Sequence, residues 1–271
     1  LQRHLSTELL LTRACRRERR MLFSSLTFIF LFLPVVLAVY YLAPLKIRNL
    51  LLLLASLIFY AWGEPVYVVL MILSILLNYC CGREIAANAE DERKAHRGMI
   101  FAVAVNLALL FFFKYYGFFL ELVNSVTSVE LTYRELALPV GISFYTFQGI
   151  SYVVDVYRGK AKAQRSLLNF ALYIALFPQL IAGPIVRYED IEPQLAQRKV
   201  SARKLGQGAM LFLIGLAKKA VLADTFKTVF EEISAISASN LSVPMAWIGC
   251  ITYAFEIYYD FSGYSDMAIG L

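Results

Sequence analysis

Histidine is almost missing from this sequence, with two residues in 271, His4 and His96. His96 lies in "EDERKAHR", which reads as a charged, solvated loop. No Ser-His-Asp arrangement or nucleophile elbow is visible, and no glycine-rich phosphate loop. The four cysteines, Cys15, Cys80, Cys81 and Cys250, form no CxxC pair and have no neighbouring histidine, which argues against a metal site. Cys80 and Cys81 close an apolar run and read as small side chains near an interface. Charged residues make up only 17% of the chain against 59% hydrophobic, too few for an ordinary soluble domain. The net charge of +6 comes from Lys and Arg in connecting stretches, with no basic-aromatic motif, so nucleic acid is not the expected partner.

What the chain has instead is apolar runs bounded by short charged clusters. About eight can be read: Phe23–Tyr41, Leu50–Trp62, Val66–Cys81, Gly98–Phe113, Pro139–Val156, Leu167–Ala182, Ala209–Ala223 and Val243–Tyr259. They predict an all-α, multi-pass protein of the lipid bilayer. Several fall short of the ~20 residues that a perpendicular helix needs to cross, so thinned bilayer or segments that enter and leave on one side are expected.

Basic residues set the orientation. Lys46 and Arg48, then Arg83, Arg93, Lys94 and Arg97, then Arg158, Lys160, Lys162 and Arg165 fall on one side, the cytoplasm, which puts the "GEP" turn outside. Leu167–Ala182 breaks the alternation, because Arg187, Arg198, Lys199, Arg203 and Lys204 follow it on the same side. Pro178, Gly183 and Pro184 break helices, and together these features predict a re-entrant hairpin covered by protein or water. Residues 1–20 do not match: they lack an initial Met, hold seven Arg or His, and would lie outside against the charge rule. Met21 is therefore the expected natural start, with an upstream leader before it.

Polar residues inside these runs are the candidate site. Gln148, Ser151 and Asp155 share one helix face and must meet protein or water, either as interhelical hydrogen-bonding groups or as a cavity lining. Lys218 and Lys219 sit in the apolar "GLAKKAVLAD". Snorkelling to the surface is the preferred reading, and contact with an anionic donor the other. In the closing "YAFEIYYDFSGYSDMAIGL", Tyr253, Glu256 and Asp260 share a face, and Gly263 is expected to interrupt the helix. Carboxylates so placed need a cation, water or a proton. A functional site and a buried network with an Arg from elsewhere both remain open.

The stretches "MLFSSLTFIFLFLPVVL", "NLLLLLASLIFYAWGEP", "LPVGISFYTFQGISYVVDVYRG", "FPQLIAGPIVRYEDIEPQL", "GLAKKAVLAD" and "YYDFSGYSDMAIGL" occur in this order. Taken together, from Met21 to Leu271, they resemble the membrane-bound O-acyltransferase family in its bacterial alginate O-acetyltransferase branch. The resemblance implies a funnel-shaped ring of tilted helices that thins the membrane, in the bacterial inner membrane. It also implies a catalytic histidine on a helix after the closing motif. No position in this sequence matches that histidine, so 21–271 reads as the N-terminal part of a longer domain, inactive alone.

Glu256, Asp260 and Asp266, with Gln148, Ser151 and Asp155, are then expected to line or brace the funnel. The implied chemistry moves acetyl groups from a cytoplasmic donor, acetyl-CoA, towards an extracytoplasmic polysaccharide such as alginate. No bound cofactor and no metal are implied, and the expected partners are periplasmic proteins that accept or relay acetyl groups. The rival readings are a membrane transporter or polysaccharide export subunit, which also uses broken helices and midplane carboxylates, and a non-catalytic membrane scaffold. Against transport, no internal repeat is evident.

Overall fold

Runs of Leu, Ile, Val and Phe, broken by single turn residues, give the chain helices and nothing else regular among the described residues. The computed structural model describes residues 23–127, 138–180, 186–196, 201–237 and 239–271. The expected leader, the start at Met21, and Gly183 and Pro184 of the predicted hairpin lie outside them. After a π turn at Phe28–Phe32 come α1 (Leu33–Leu42), α2 (Arg48–Gly63), α3 (Tyr67–Ala87), α4 (Glu92–Val126), α5 (Ile142–Tyr157), α6 (Leu167–Ala175), α7 (Phe177–Leu180) and α8 (Tyr188–Ala196). Then follow α9 (Ala202–Ala217), a second π turn (Lys218–Ala223), α10 (Asp224–Ser234) and α11 (Val243–Gly270).

Three helical stretches are long and apolar enough to cross a membrane: Leu45–Gly63, Tyr67–Ala87 and Glu92–Val126. This makes the chain a multi-pass membrane protein. The three stretches correspond to the second, third and fourth of the eight expected runs. α5 has 16 residues, α6 nine and α7 four, short of the ~20 that span a bilayer. The fourth run lengthens in both directions. "EDERKAHR" is no loop at its end: Asp91 caps α4, its carboxylate accepting from Lys94 N at 3.1 Å, and His96 stands exposed on the helix.

The described residues fall into two compact units, 38–127 with 138–180 and 186–196, and 23–37 with 201–237 and 239–271. In the first, α3, α4 and α5 pack together, and α2 lies against α6 and α7. Tyr145, Tyr152, Phe170, Leu172, Tyr173 and Tyr188 are fully buried there. Tyr152 packs on Phe170 with ring centroids 4.6 Å apart and meets Tyr188 edge-on. Outside this core, Leu54, Ile58, Leu73, Phe101, Phe111 and Phe118 are exposed, a surface that suits hydrocarbon and not water.

The polar groups inside this unit are organised by asparagine. Asn78 of α3 and Asn106 of α4 exchange amide hydrogen bonds of 3.1 and 2.9 Å. Each gives its second N–H to a backbone carbonyl four residues back, Ser74 and Ala102. Both amides are thus satisfied without water, as buried polar groups require. Gly149 of α5 lies on this pair: a Cβ there would come within 2.5 Å of the Asn78 amide nitrogen.

In the second unit α9 and α10 each pack along α11. Ser201 caps α9 through Lys204 N at 3.2 Å, and Pro244 falls in the first turn of α11, where its missing N–H costs no bond. Phe226 stacks on Phe255, and Phe230 on Tyr253 at 4.6 Å.

Candidate functional site

The site is built where two helices touch backbone to backbone. A Cβ on Gly215 of α9 would lie 2.5 Å from Gly263 O, and one on Gly263 would lie 2.7 Å from Gly215 O. One heptad away, Gly270 closes on Gly208 in the same manner. Small residues that let helix backbones approach are a recurring means of association in membranes, where lipid removes the usual hydrophobic drive. This corrects the expectation that Gly263 interrupts the helix. α11 runs unbroken from Val243 to Gly270, because the glycine serves the contact and not a turn.

Asp260 and Asp266 stand three residues before and after Gly263, so they flank the contact line by roughly 60° on either side. Opposite them the helix enters its π turn at Lys218–Ala223. Lys218 Nζ donates to Asp266 Oδ2 at 2.6 Å and to Ser262 Oγ at 3.0 Å. Lys219 Nζ reaches Asp260 Oδ1 at 2.7 Å and Asp224 Oδ1 at 3.0 Å. Two adjacent lysines thus address two carboxylates on opposite flanks of the crossing.

These lysines are therefore held by carboxylates of the chain itself. Paired carboxylates lie within reach, and a charge so held no longer needs the surface. Nor does the arrangement offer a free anion receptor, since Lys219 is already shared between two carboxylates. The cation that Asp260 and Asp266 need comes from this chain, and no Arg from elsewhere is required. The Lys218–Asp266 pair is the more enclosed, with side-chain exposures of 31% and 21%, whereas Asp260 is 55% exposed.

Glu256 stands apart. It is half-buried and makes no hydrogen bond or ion pair among the described residues. Tyr253, on the same face, is taken up by Phe230. The three residues singled out in α5 do share a face turned into protein: Gln148 is buried, and Ser151 Oγ donates to Asp155 Oδ2 at 3.4 Å. Gln148 Oε1 and the neighbouring Thr146 Oγ1 make no hydrogen bond among the described residues. The interhelical polar contact here is the Asn78–Asn106 pair, which sequence reasoning missed. Its only signal was a single asparagine in each of two apolar runs. Pro178 lies in α7, separated from α6 at Leu176.

Residues 162–271 match the family model described as MBOAT, membrane-bound O-acyltransferase family. The chain is 43% identical over 255 residues to the Probable alginate O-acetylase AlgI of Pseudomonas syringae pv. tomato, covering 93% of this chain and 49% of that protein. The protein of the same name from Pseudomonas aeruginosa matches at 43%, with the same coverage of both chains. The Peptidoglycan O-acetyltransferase of Helicobacter pylori is 35% identical over 283 residues, covering 93% of this chain and 53% of that protein. The chain spans about half the length of these curated relatives.

Proposed function

Because this chain belongs to the membrane-bound O-acyltransferase family, we propose that it forms the N-terminal part of an inner-membrane enzyme that moves acetyl groups onto an extracytoplasmic polysaccharide. One observation carries the reading. Across 93% of its length the chain is related to proteins named as O-acetylating two different polysaccharides, alginate and peptidoglycan.

In this reading the donor is acetyl-CoA on the cytoplasmic side. A polymer or relay-protein hydroxyl attacks the acetyl carbonyl, a general base takes its proton, and polar groups stabilise the oxyanion. The base is a histidine that follows Leu271 in the complete enzyme. His96 does not serve, because it lies exposed in the first unit with its ring 5.7 Å from that of Tyr157. The role assigned to Lys218, Lys219, Asp260 and Asp266 is to hold α9 and α11 as a brace for the funnel, with Gln148, Ser151 and Asp155 as packed polar groups. Leu167–Ala182, with Pro178, Gly183 and Pro184, is the re-entrant segment of that funnel.

The test is to express the complete gene, and separately residues 21–271, in cells whose own polymer acetylation has been deleted, and to measure ester-linked acetate on the envelope polysaccharide. Acetate restored by the complete gene and not by 21–271 is the expected result. Polysaccharide secretion that depends on the protein while acetate stays absent would replace the enzyme with an export subunit.

A further inference from the structure

The loop between α5 and α6 is held more firmly than its role as a topology signal requires. Orientation in a membrane depends on how many basic residues a loop carries, and not on their being held in one arrangement. Here the backbone is fastened from below along its length. Gly159, at a φ of 71°, turns the chain out of α5, and Lys160 N and Ala161 N both donate to Asp155 O, at 2.9 and 3.2 Å. Gln164 N donates to the Tyr152 hydroxyl at 3.0 Å, and Gln164 Nε2 to the Tyr188 hydroxyl at 2.6 Å. Ser166 N returns to Gln164 Oε1 at 3.0 Å, and the Tyr79 hydroxyl donates to Arg165 O at 2.7 Å. Ala161 is buried and Ala163 packs on the core.

The residues between these anchors point outward. Arg158, Lys160, Lys162 and Arg165 are all exposed, and none makes an ion pair among the described residues. Arg83 of α3 joins them by donating to the Tyr79 hydroxyl at 3.5 Å. No acidic residue occurs between Asp155 and Glu189 in sequence. The acidic side chains on the neighbouring elements are Glu84 on α3, Asp91 and Glu92 at the start of α4, and Glu189, Asp190 and Glu192 on α8; Asp91 is paired with Lys94 and Glu189 is 3.7 Å from Arg187.

We propose that this fastened loop is a binding site for the phosphate headgroup of an anionic membrane lipid. With the backbone already fixed, only side-chain freedom is lost on binding, so the charges can act together. Basic clusters that flank the apolar helices of a bilayer protein characteristically lie by the headgroups, and this favours a lipid over a soluble phosphate. Each Lys or Arg near an anionic surface contributes about 1 kcal/mol, equivalent to about fivefold in affinity. The site is independent of the acetyl-transfer reaction.

The experiment places the full-length protein in phosphatidylcholine vesicles with and without phosphatidylglycerol, and measures retained lipid by native mass spectrometry after gentle extraction. Phosphatidylglycerol should be retained by the parent and by Lys160→Arg/Lys162→Arg. It should be held about fivefold more weakly for each charge removed in Lys160→Gln/Lys162→Gln. Arg203→Gln/Lys204→Gln, which removes two charges elsewhere, should bind as the parent does. Gln164→Ala keeps every charge while removing the two fastenings made by the Gln164 side chain, to Tyr188 and Ser166, and should also weaken retention. Equal losses in the two Lys/Arg→Gln pairs, or full retention in Gln164→Ala, would reduce the loop to a charge count and overturn the proposal. Saturable binding of inorganic phosphate in pure phosphatidylcholine, abolished by Lys160→Gln/Lys162→Gln, would overturn the lipid and assign a soluble ligand.

Discussion

A lysine at the centre of an apolar helix costs about 2.5–3.5 kcal/mol on insertion scales, and Lys218 recovers that through Asp266 and Ser262. Asp266→Asn leaves the ammonium without its counter-charge and should destabilise the protein by about 3–5 kcal/mol, read as a lower melting temperature in detergent. Lys218→Met combined with Asp266→Leu should recover most of the loss, since an apolar pair of similar size is often as stable as a buried ion pair. A double variant as unstable as the single would show that the pair is not what holds the helices. The asparagines behave in the same manner with smaller stakes. Asn78→Leu orphans one amide and should cost about 1–3 kcal/mol, with partial recovery in Asn78→Leu/Asn106→Leu. At this scale the sequence shows which residues are out of place in an apolar run, and little more. Lys218 and Asp266 were both conspicuous. Their pairing was hidden because it joins positions 48 residues apart across a helix contact that no local pattern encodes.

Helix existence is legible from composition, and helix ends less so. Glycine costs about 1 kcal/mol in a helix interior relative to Ala, so Gly263 reads as a break until the neighbouring backbone is seen against it. The two kinds of glycine in α9 separate under one substitution. Gly206 has open space around it, and Gly206→Ala should stabilise by up to about 1 kcal/mol. Gly215→Ala drives a methyl into the Gly263 carbonyl and Met267 N, and should part α9 from α11. Thermal melts of both variants decide this; a stabilised Gly215→Ala would refute the backbone contact. The start of α4 has a pH signature. The backbone N–H of Lys94, then its side chain, hold the Asp91 carboxyl below the usual carboxylate range. A depressed folded value means that the cap contributes fully above the unfolded value of about 3.9 and loses its contribution as pH falls through the lower folded one. Hydrogen exchange at 92–95, corrected for its intrinsic pH dependence, should therefore rise only below that range. In Asp91→Ala it should be fast throughout.

For the molecule as a whole, composition was enough to place it in a bilayer, and six ordered motifs to place it in its family. The crossing of α9 and α11 was beyond their reach, because it depends on which faces meet. That crossing has a consequence for how the protein is made. A ribosome adds about 5–20 residues per second, so a lysine leaves it well before a partner encoded 48 positions later, by roughly 2–10 s at that rate. Lys219 has Asp224 five residues ahead and leaves the ribosome with a counter-charge close behind it. Lys218 has none until Asp266 arrives. Chains stalled between Gly249 and Asp260 should therefore show α9 incompletely inserted, in a glycosylation or alkali-extraction assay. Lys218→Leu should cure the defect, Lys219→Leu should improve it less, and Asp224→Asn should deepen it. The short-range pair at Asp224 then works as a temporary escort, carrying one charge through the seconds before its permanent partner is synthesised.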